Sequence, residues 1–198
     1  SHCVYCSFPA RVARPDEDWD GFLEALLEDV QRAGALRRRH RLAIDSVYFG
    51  GGTPTVLPAE HFQALLTALQ TELAIPSGTE FTVEAGRPDT ITEAKLAAMR
   101  MAGVTRLSIN PQTLQDRILQ TIHRAHTGAQ IERVYAEAKK YHFDAINMDF
   151  IAGLPNQTLA DMKENLDAVA RLRPENVTVH TLALKRHRPL TQTAGAYR

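Results

Sequence analysis

The sequence predicts an α/β protein built on an open parallel β-sheet. Short apolar runs typical of β-strands alternate with longer segments in which apolar residues recur at helical spacing. This alternation favours parallel strands joined by right-handed crossovers. Five strands can be identified, too few to close an eight-stranded barrel, so an open, curved partial barrel or a doubly wound sheet remains.

The predicted strands are short runs of β-branched, aliphatic and aromatic residues. They span residues 44–49, 81–85, 106–110, 146–150 and 177–182. In open parallel sheets and partial barrels, ligands bind at the carboxyl ends of the strands. The residues that end or follow each run are therefore the first candidates for a functional site.

Helices are predicted between the strands from apolar residues that recur every three or four positions. The first follows an acidic run at 16–18, which suits a helix N-terminus. The second starts at Pro58. The third is opened by Thr92 and stopped at Gly103. A short fourth helix is expected around Ile118.

Capping boxes predict where the last two helices begin. Thr127 with Gln130 opens one, and Thr158 with Asp161 opens the other. The residues of the final helix expected to face inward are Leu159, Met162, Leu166 and Val169.

Composition narrows the class of protein. The 198 residues suit one domain, and 23 basic residues balance 23 acidic ones, so no broad basic face for nucleic acid is indicated. The basic run at 37–41 is interpreted as a solvated helix end. No apolar stretch approaches the roughly 20 residues of a membrane helix. Two closely spaced cysteines do not form a disulfide framework, which favours a reducing cytoplasm.

The two cysteines, Cys3 and Cys6, form a Cys-x-x-Cys pair. Such a pair binds a metal ion, binds an iron–sulfur cluster or cycles as a disulfide. A structural zinc site would need two further ligands, and the sequence has no second cysteine pair. His123 and His126 stand three residues apart without a carboxylate, so both are predicted to be surface or structural residues.

Polar residues stand at the ends of the predicted strands. The glycines at 50–52 follow the first strand, Glu84 lies at the end of the second, Gln112 follows the third, and Asp149 lies near the end of the fourth. The glycine run lacks the Gly-Lys-Ser/Thr ending of a phosphate loop. It predicts either a tight turn or a backbone that a ligand approaches closely.

Each polar residue also has a purely structural interpretation. A carboxylate inside a sheet protein needs a partner, because a buried unpaired charge is costly. For Glu84 that partner is either a ligand or an ion pair with Arg124 or Arg87. Gln112, Arg124 and Asp149, each taken alone, fit a structural polar contact equally well.

Taken together, these residues resemble the radical S-adenosylmethionine (SAM) enzymes. More narrowly, they are similar to the oxygen-independent coproporphyrinogen III oxidase/dehydrogenase group. The resemblance rests on Cys3, Cys6, the run 50–54, Glu84, Gln112, Arg124 and Asp149. It extends to about Lys185, and Arg87 with the run 110–112 favours the coproporphyrinogen dehydrogenase subgroup.

The resemblance implies a partial (βα)6 TIM-like barrel that here lacks its first strand. Residues 1–185 would form the radical SAM core, and residues 186–198 would begin the connection to a missing C-terminal domain. The family spaces its cluster ligands Cys-x-x-x-Cys-x-x-Cys. Cys3 and Cys6 match the second and third of these, so the first would lie upstream of Ser1.

The implied cofactors are a [4Fe–4S] cluster, held by Cys3 and Cys6, and SAM. Gly51, Gly52 and Thr53 would meet the methionyl amino group, and Arg124 would pair with the SAM carboxylate. Glu84 would bind the ribose hydroxyls or the amino group. Gln112 and Asp149 would bind the ribose hydroxyls, and Tyr5, Ile151 and Ala183 would lie near the adenine.

The implied function is that of a radical SAM oxidoreductase of haem biosynthesis. It would convert propionates of coproporphyrinogen III to vinyl groups through a 5′-deoxyadenosyl radical, with a separate electron donor. Two thiolates are too few for the cluster, so the fragment is expected to be inactive alone. The alternative on the same fold is a haem-binding chaperone, which Ser7 favours because well-characterised oxidases carry a further cysteine there. A dithiol redox or zinc-binding domain is the alternative from another class.

Overall fold

The computed structural model describes residues 3–6 and 11–183. Five strands form one sheet in which every paired strand is parallel to its neighbour. The strands are β1 (Ser46–Phe49), β2 (Glu80–Ala85), β3 (Arg106–Gln112), β4 (Ala145–Ala152) and β5 (Asn176–Thr181). The helices are α1 (Trp19–His40), α2 (Ala59–Leu73), α3 (Glu93–Met101), α4 (Asp116–Thr121), α5 (Gly128–Lys139) and α6 (Leu159–Leu172).

The strands lie in the sheet in the order in which they occur along the chain. A doubly wound sheet would reverse its strand order at a switch point. Sequential order with a helix in each crossover is the arrangement of a barrel segment. The open partial barrel expected from the sequence is therefore confirmed, and the doubly wound alternative is wrong.

The predicted helix starts are formed by the expected capping residues. The Thr92 side chain accepts a hydrogen bond from the backbone N–H of Lys95. Both capping boxes are complete, at Thr127 with Gln130 and at Thr158 with Asp161. Two strands run further than predicted: β3 continues to Gln112 across a bulge, and β4 continues to Ala152.

Alternate residues of the strands face opposite sides of the sheet. One side packs against the helices in the larger of two apolar clusters, which is built on strand residues such as Val83, Leu107 and Met148. The buried residues of α4 belong to the smaller cluster. The other side is polar. Ser108 and Asn147 on it are only 4% exposed, as expected where a sheet curves around its own interior.

The inward face of α6 differs from the prediction. Leu159 is 91% exposed and Leu166 is 48% exposed, so the expectation that they face inward is wrong. Asp161 and Asn165 are buried instead. Asn165 Oδ1 accepts from the Leu114 N–H at 2.9 Å, so this face of the helix pairs with backbone in the loop after β3. Hydrophobic spacing alone cannot reveal a helix face selected for hydrogen bonding.

No helix in the described part of the chain has the length and apolar character to span a bilayer.

We expect Gly128→Ala to lower the free energy of unfolding by about 1–3 kcal/mol, the usual cost of overpacking a core. A Cβ at Gly128 would lie 2.3 Å from the backbone oxygen of Leu114, and a backbone atom cannot easily move away. Gly52→Ala is the control, because a Cβ there meets nothing within 4 Å, and its effect should stay within about 0.5 kcal/mol. Urea denaturation measures both. Equal stabilities would mean that the loop before α4 adapts freely.

Candidate functional site

The cysteine loop packs against the carboxyl edge of the sheet. Val4 is buried and its N–H donates to the carbonyl oxygen of Ile122 at 3.4 Å. The apolar cluster around it joins α4 to the end of β4, and consists of Ile118, Leu119, Ile122, Ile151 and Leu154, with Tyr5 and Leu182 against it. The loop is therefore attached by apolar contacts to α4 and to the end of β4.

Both cysteines are free thiols. Cys3 is only 6% exposed, and the Cys6 N–H donates to its carbonyl oxygen at 3.2 Å, which closes the loop. An Arg87 Nη donates to the Cys3 sulfur at 3.0 Å. Tyr5 is hydrogen-bonded to Cys3, and burial raises the pKa of the Tyr5 hydroxyl above its ordinary value, although nearby Arg124 opposes this rise. The thiols of Cys3 and Cys6 and the guanidinium groups of Arg87 and Arg124 thus lie close together in a region that is partly shielded from water.

Arg124 is a buried cation that has no acidic partner among the residues that the structure describes. Its side chain is bonded to backbone carbonyls, with one Nη donating to Asn110 O at 2.7 Å and the other to Gly86 O at 3.0 Å. The residue is 4% exposed, and its Nε is buried without a partner in the described chain. Burial lowers the pKa of Arg124, while Tyr5 and the thiols act in the opposite direction. A buried cation in this state favours the binding of an anion.

Glu84 holds in place the loop of residues 50–53, called the glycine loop below. Its two carboxylate oxygens accept from the Tyr48 hydroxyl at 2.6 Å and from the Gly51 N–H at 3.1 Å. Burial and the neighbouring Glu84 raise the pKa of Tyr48. The Glu84–Arg124 ion pair that the sequence left open is not formed in the described structure, because each residue has other partners.

The glycine loop leaves space beside its backbone. Gly51 has φ of +125°, a conformation that favours glycine, and a Cβ at Gly51 or Gly52 would meet nothing within 4 Å. A Cβ at Gly50 would instead lie 2.5 Å from the Tyr48 ring. Thr53 Oγ1 donates to the Gly52 carbonyl oxygen at 2.7 Å. Only Gly50 is required by packing, and the other two glycines leave open backbone that a ligand can reach.

Lys95 fixes the glycine loop to the loop after β2. Its ammonium donates to the carbonyl oxygens of Thr55, at 2.6 Å, and Thr90, at 3.1 Å. The residue is 7% exposed, and burial lowers the pKa of Lys95. The two hydroxyls, Thr55 Oγ1 and Thr90 Oγ1, lie 2.7 Å apart in the same contact. Nothing in the sequence pattern singles out Lys95.

Asp149 lies on the polar side of the sheet with both carboxylate oxygens engaged. Asn110 Nδ2 donates to one oxygen, and Asn147 Nδ2 donates to the other at 2.6 Å. Asn147 in turn accepts from Thr178 Oγ1 at 3.1 Å and donates to Ser108 Oγ at 3.2 Å. This network spans β3, β4 and β5, so the Asp149 carboxylate is held by three strands.

The other predicted site residues differ in their surroundings. Gln112 has φ of +68° at the β3 bulge, and its Oε1 is buried without a partner in the described chain. Ile151 is buried in the apolar cluster beneath the cysteine loop. Ala183 is exposed and directly follows Leu182, whose N–H donates to Ala152 O at 2.9 Å.

The structure brings the predicted residues together in three groups, two of which are joined by hydrogen bonds. Cys3, Cys6, Tyr5 and Arg124 form the first, Glu84 with Gly51 the second, and Asp149 with Asn110 the third. Asn110 joins two of them, since its carbonyl accepts from Arg124 and its amide donates to Asp149. The residues that sequence analysis did not assign to the site are Tyr48, Lys95, Ser108, Asn110, Asn147 and Thr178. The polar alternation along the strands could have indicated all of these except Lys95.

The residues present fit a cluster and a SAM molecule. Thiolates are the ligands of iron–sulfur clusters. The unpartnered Arg124 Nε and Gln112 Oε1 offer a donor and an acceptor, and the glycine loop offers accessible backbone. Among the described residues no group of three or more His, Cys, Asp or Glu side chains could hold a metal ion. Residues 3–6 and 11–183 thus supply two thiols, and neither a zinc site nor a complete ligand set for a cluster.

Comparison with known proteins decides the family. The sequence model of the radical SAM superfamily matches residues 1–169. The chain belongs to the radical SAM superfamily. A [4Fe–4S] cluster and SAM are the cofactors of this family, so the two cofactors expected from the sequence are confirmed.

Radical SAM relatives named for tetrapyrroles match nearly the whole chain. The oxygen-independent coproporphyrinogen-III oxidase-like protein HemZ of Bacillus subtilis is 37% identical over 198 residues, which cover 99% of this chain and 40% of HemZ. The haem chaperone HemW of Lactococcus lactis is 32% identical over 185 residues, which cover 93% of this chain and 47% of HemW. The chain therefore spans less than half the length of these relatives.

The radical SAM enzyme HemN of Escherichia coli, a coproporphyrinogen III oxidase, has a similar solved structure. The TM-score is 0.81 at 26% sequence identity, over 92% of this chain and 42% of HemN. The similarity supports a HemN-like member of the superfamily.

The burial of His126 predicts that the stability of this radical SAM core depends on pH. It is 5% exposed, and both ring nitrogens are buried without a partner in the described chain. Burial, with Arg124 and Arg87 close by, lowers its pKa to about 4, against the opposing effect of Asp89 and Asp116. Both His123 and His126 are predicted to be surface or structural residues, and His123 is exposed whereas His126 is buried.

We expect the unfolded state to take up a proton at His126 near pH 6.5 and the folded state only near pH 4. The contribution of the neutral imidazole is therefore complete above pH 6.5 and is lost as the pH falls toward 4, by roughly 2–3 kcal/mol in all. His126→Gln should remove that part of the pH dependence, whereas His40→Gln, at the exposed end of α1, should not. Urea denaturation between pH 4 and pH 7 measures the difference. Parallel curves for His126→Gln and the native sequence would contradict the assignment.

Proposed function

We propose that this chain is the cofactor-binding core of a radical SAM oxidoreductase that converts propionate side chains of coproporphyrinogen III to vinyl groups. The observation that carries the proposal is the buried guanidinium of Arg124, which has no acidic partner among the described residues and lies beside Cys3, Cys6 and Tyr5. Family membership and the similarity to HemN support the reaction class. When bound, the reduced cluster and SAM supply the radical that starts the reaction.

Cys3 and Cys6 bind two of the cluster irons in this proposal. A third thiolate is needed, and it comes from outside the 198 residues because the chain contains only these two cysteines. Apolar contacts of Val4 fix the loop against α4, which presents both thiols to the carboxyl edge of the sheet. In this proposal residues 1–185 form the core and residues 186–198 connect it to a further domain, in keeping with the chain covering only 40% of HemZ and 47% of HemW.

Arg124 binds the SAM carboxylate in this proposal. Its two Nη groups are occupied by the carbonyls of Asn110 and Gly86, so the guanidinium is fixed in position before the ligand arrives. The unpartnered Nε supplies a donor, and the low exposure strengthens the attraction between the charges. The guanidinium thereby sets the distance between the methionyl end of SAM and the thiols.

The remaining SAM contacts divide between the glycine loop and the polar side of the sheet. Gly51, Gly52, Thr53 and Glu84 meet the methionyl amino group, and Glu84 can also accept from the ribose. Gln112 and Asp149 accept from the ribose hydroxyls. The adenine lies against Tyr5, Ile151 and Ala183. The fixed carboxylates of Glu84 and Asp149 support these roles, because neither must reorganise when SAM binds.

In the proposed reaction, a propionate would lose a hydrogen atom from the carbon next to the ring, CO2 and one electron, which leaves a vinyl group. The deoxyadenosyl fragment of SAM would take the hydrogen atom, and methionine would be the leaving group of SAM. A one-electron donor would supply the electron for SAM cleavage, and a one-electron acceptor would take the electron lost by the substrate. The protein contributes the placement of the reactants and the exclusion of water.

A haem chaperone on the same fold is the second candidate function. The observation that favours it is the 32% identity to HemW of L. lactis, together with Ser7 at a position where oxidases carry cysteine. In that case the same cofactor site would be kept, and haem would be bound and passed on without decarboxylation.

We expect the full-length protein, reconstituted anaerobically with iron and sulfide and then reduced, to cleave SAM to 5′-deoxyadenosine. Arg124→Gln should weaken SAM binding by roughly 10- to 100-fold, since a hydrogen bond between charged groups contributes about 1.5–3 kcal/mol. The SAM affinity of Arg124→Lys should fall between those of the native protein and Arg124→Gln. Lysine keeps the positive charge but lacks the planar, fork-shaped set of donors of the guanidinium. Calorimetry measures the affinity for SAM, and chromatography measures the 5′-deoxyadenosine that is formed. Arg32→Gln, on the exposed face of α1, is the control, and an Arg124→Gln affinity equal to the control would refute the assigned role.

We expect the same preparation to release CO2 from coproporphyrinogen III and to form vinyl groups when SAM and reductant are present. CO2 trapping and mass spectrometry of the porphyrin measure this. Stoichiometric haem binding without CO2 release would instead establish the chaperone function. The Cys6→Ser variant is the matched control, because it removes a cluster ligand and should abolish turnover.

A further inference from the structure

We infer that Arg87 tunes the iron–sulfur cluster by donating a hydrogen bond to the sulfur of Cys3, and so raises the reduction potential of the cluster. The inference rests on the proposed role of Cys3 as a cluster ligand. It assigns to Arg87 a function separate from SAM binding. Arg87 would act through Cys3, as a positioning and tuning residue for electron entry.

The contact itself is short and shielded from water. An Arg87 Nη lies 3.0 Å from the Cys3 sulfur, and Cys3 is 6% exposed. The distance is well within hydrogen-bonding range for a sulfur acceptor. At such low exposure water competes weakly for the sulfur, so the charge of the guanidinium is poorly screened.

The backbone at Arg87 is fixed by its neighbours. Arg87 follows Gly86, the first residue after β2. The carbonyl oxygen of Arg87 accepts a hydrogen bond from Thr90 Oγ1 at 2.8 Å. Lys95 donates to the carbonyl of that same Thr90 at 3.1 Å. Pro88 restricts the next backbone step, in a 3₁₀ turn from Pro88 to Thr90. The Arg87 side chain therefore extends toward Cys3 from a rigid position at the end of a strand.

Arg87 and Arg124 share one acceptor and differ in the other. Both donate to the carbonyl oxygen of Gly86, at 3.4 Å and 3.0 Å respectively, but Arg124 also donates to Asn110 O, whereas Arg87 also donates to the Cys3 sulfur. A cluster thiolate at Cys3 would give the Arg87 guanidinium an anionic acceptor at this contact.

The effect on the cluster follows from electrostatics. Hydrogen bonds to the sulfurs and local charge set the reduction potential of a cluster. A cation bonded to a ligand sulfur stabilises the reduced cluster more than the oxidised one, because the reduced form carries one more negative charge. Arg87 therefore eases the uptake of an electron, which is the first requirement of SAM cleavage.

The test is a redox titration of the reconstituted full-length protein, followed by electron paramagnetic resonance. Arg87→Gln should shift the equilibrium between the oxidised and the reduced cluster about tenfold toward the oxidised form. This corresponds to a reduction potential about 59 mV more negative than that of the native protein. Arg87→Lys should lie closer to the native value, because it keeps the charge. Arg32→Gln, on exposed α1, should match the native value. Iron and sulfide analysis of each variant establishes that equal amounts of cluster are compared.

The outcomes separate this inference from the proposed function. A native protein that holds a cluster and cleaves SAM, with an unchanged potential in Arg87→Gln, overturns only the inference. A variant with an unchanged potential but weakened SAM binding also overturns it, and assigns Arg87 to the SAM carboxylate. A native protein that holds no cluster overturns both. A negative shift in Arg87→Gln with partial recovery in Arg87→Lys supports the inference.

Discussion

The structure depends on the burial of the Arg124 guanidinium at the carboxyl edge of the sheet. A buried cation is unfavourable unless it is bonded, and here backbone carbonyls at the ends of two neighbouring strands bind it. The carbonyl of Gly86 follows β2, and that of Asn110 lies in β3. The guanidinium thus joins two strand ends and lies beside the cysteine loop. The cost of burying it is the reason that this edge is poised to take up an anion.

Rigid elements hold the rest of the site around this guanidinium. Asp149 is fixed by amides from β3 and β4, and the network reaches β5 through Thr178. The glycine loop, which is not itself a strand or helix, is held by Glu84 and, one turn later, by Lys95. Side chains placed in this way need little reorganisation when a cofactor binds, which is the condition for efficient positioning.

Most of the fold could be predicted from the sequence because its signals are local. Hydrophobic periodicity gave the strands, and Thr92, Thr127 and Thr158 gave helix starts through contacts within one turn. The site was predictable where a residue ends a strand. Lys95 could not be found, because its partners lie 40 and 5 residues away and are backbone atoms. The polar inner face of α6 was missed for the same reason, since Asn165 bonds to a loop 51 residues away.

The charges of the site are separated in a way that matches SAM. The groups that act on Arg124 are Tyr5, Arg87 and the two thiols, whereas the groups that act on Tyr48 include the carboxylates of Glu84 and Asp149. One end is therefore cationic around the cysteine loop, and the other is anionic around the glycine loop. SAM carries a carboxylate, an ammonium group and a sulfonium. In the proposed function, the SAM carboxylate would be attracted to the first end and its cationic groups to the second, so the same field would bind the molecule and orient its methionyl end toward the thiols.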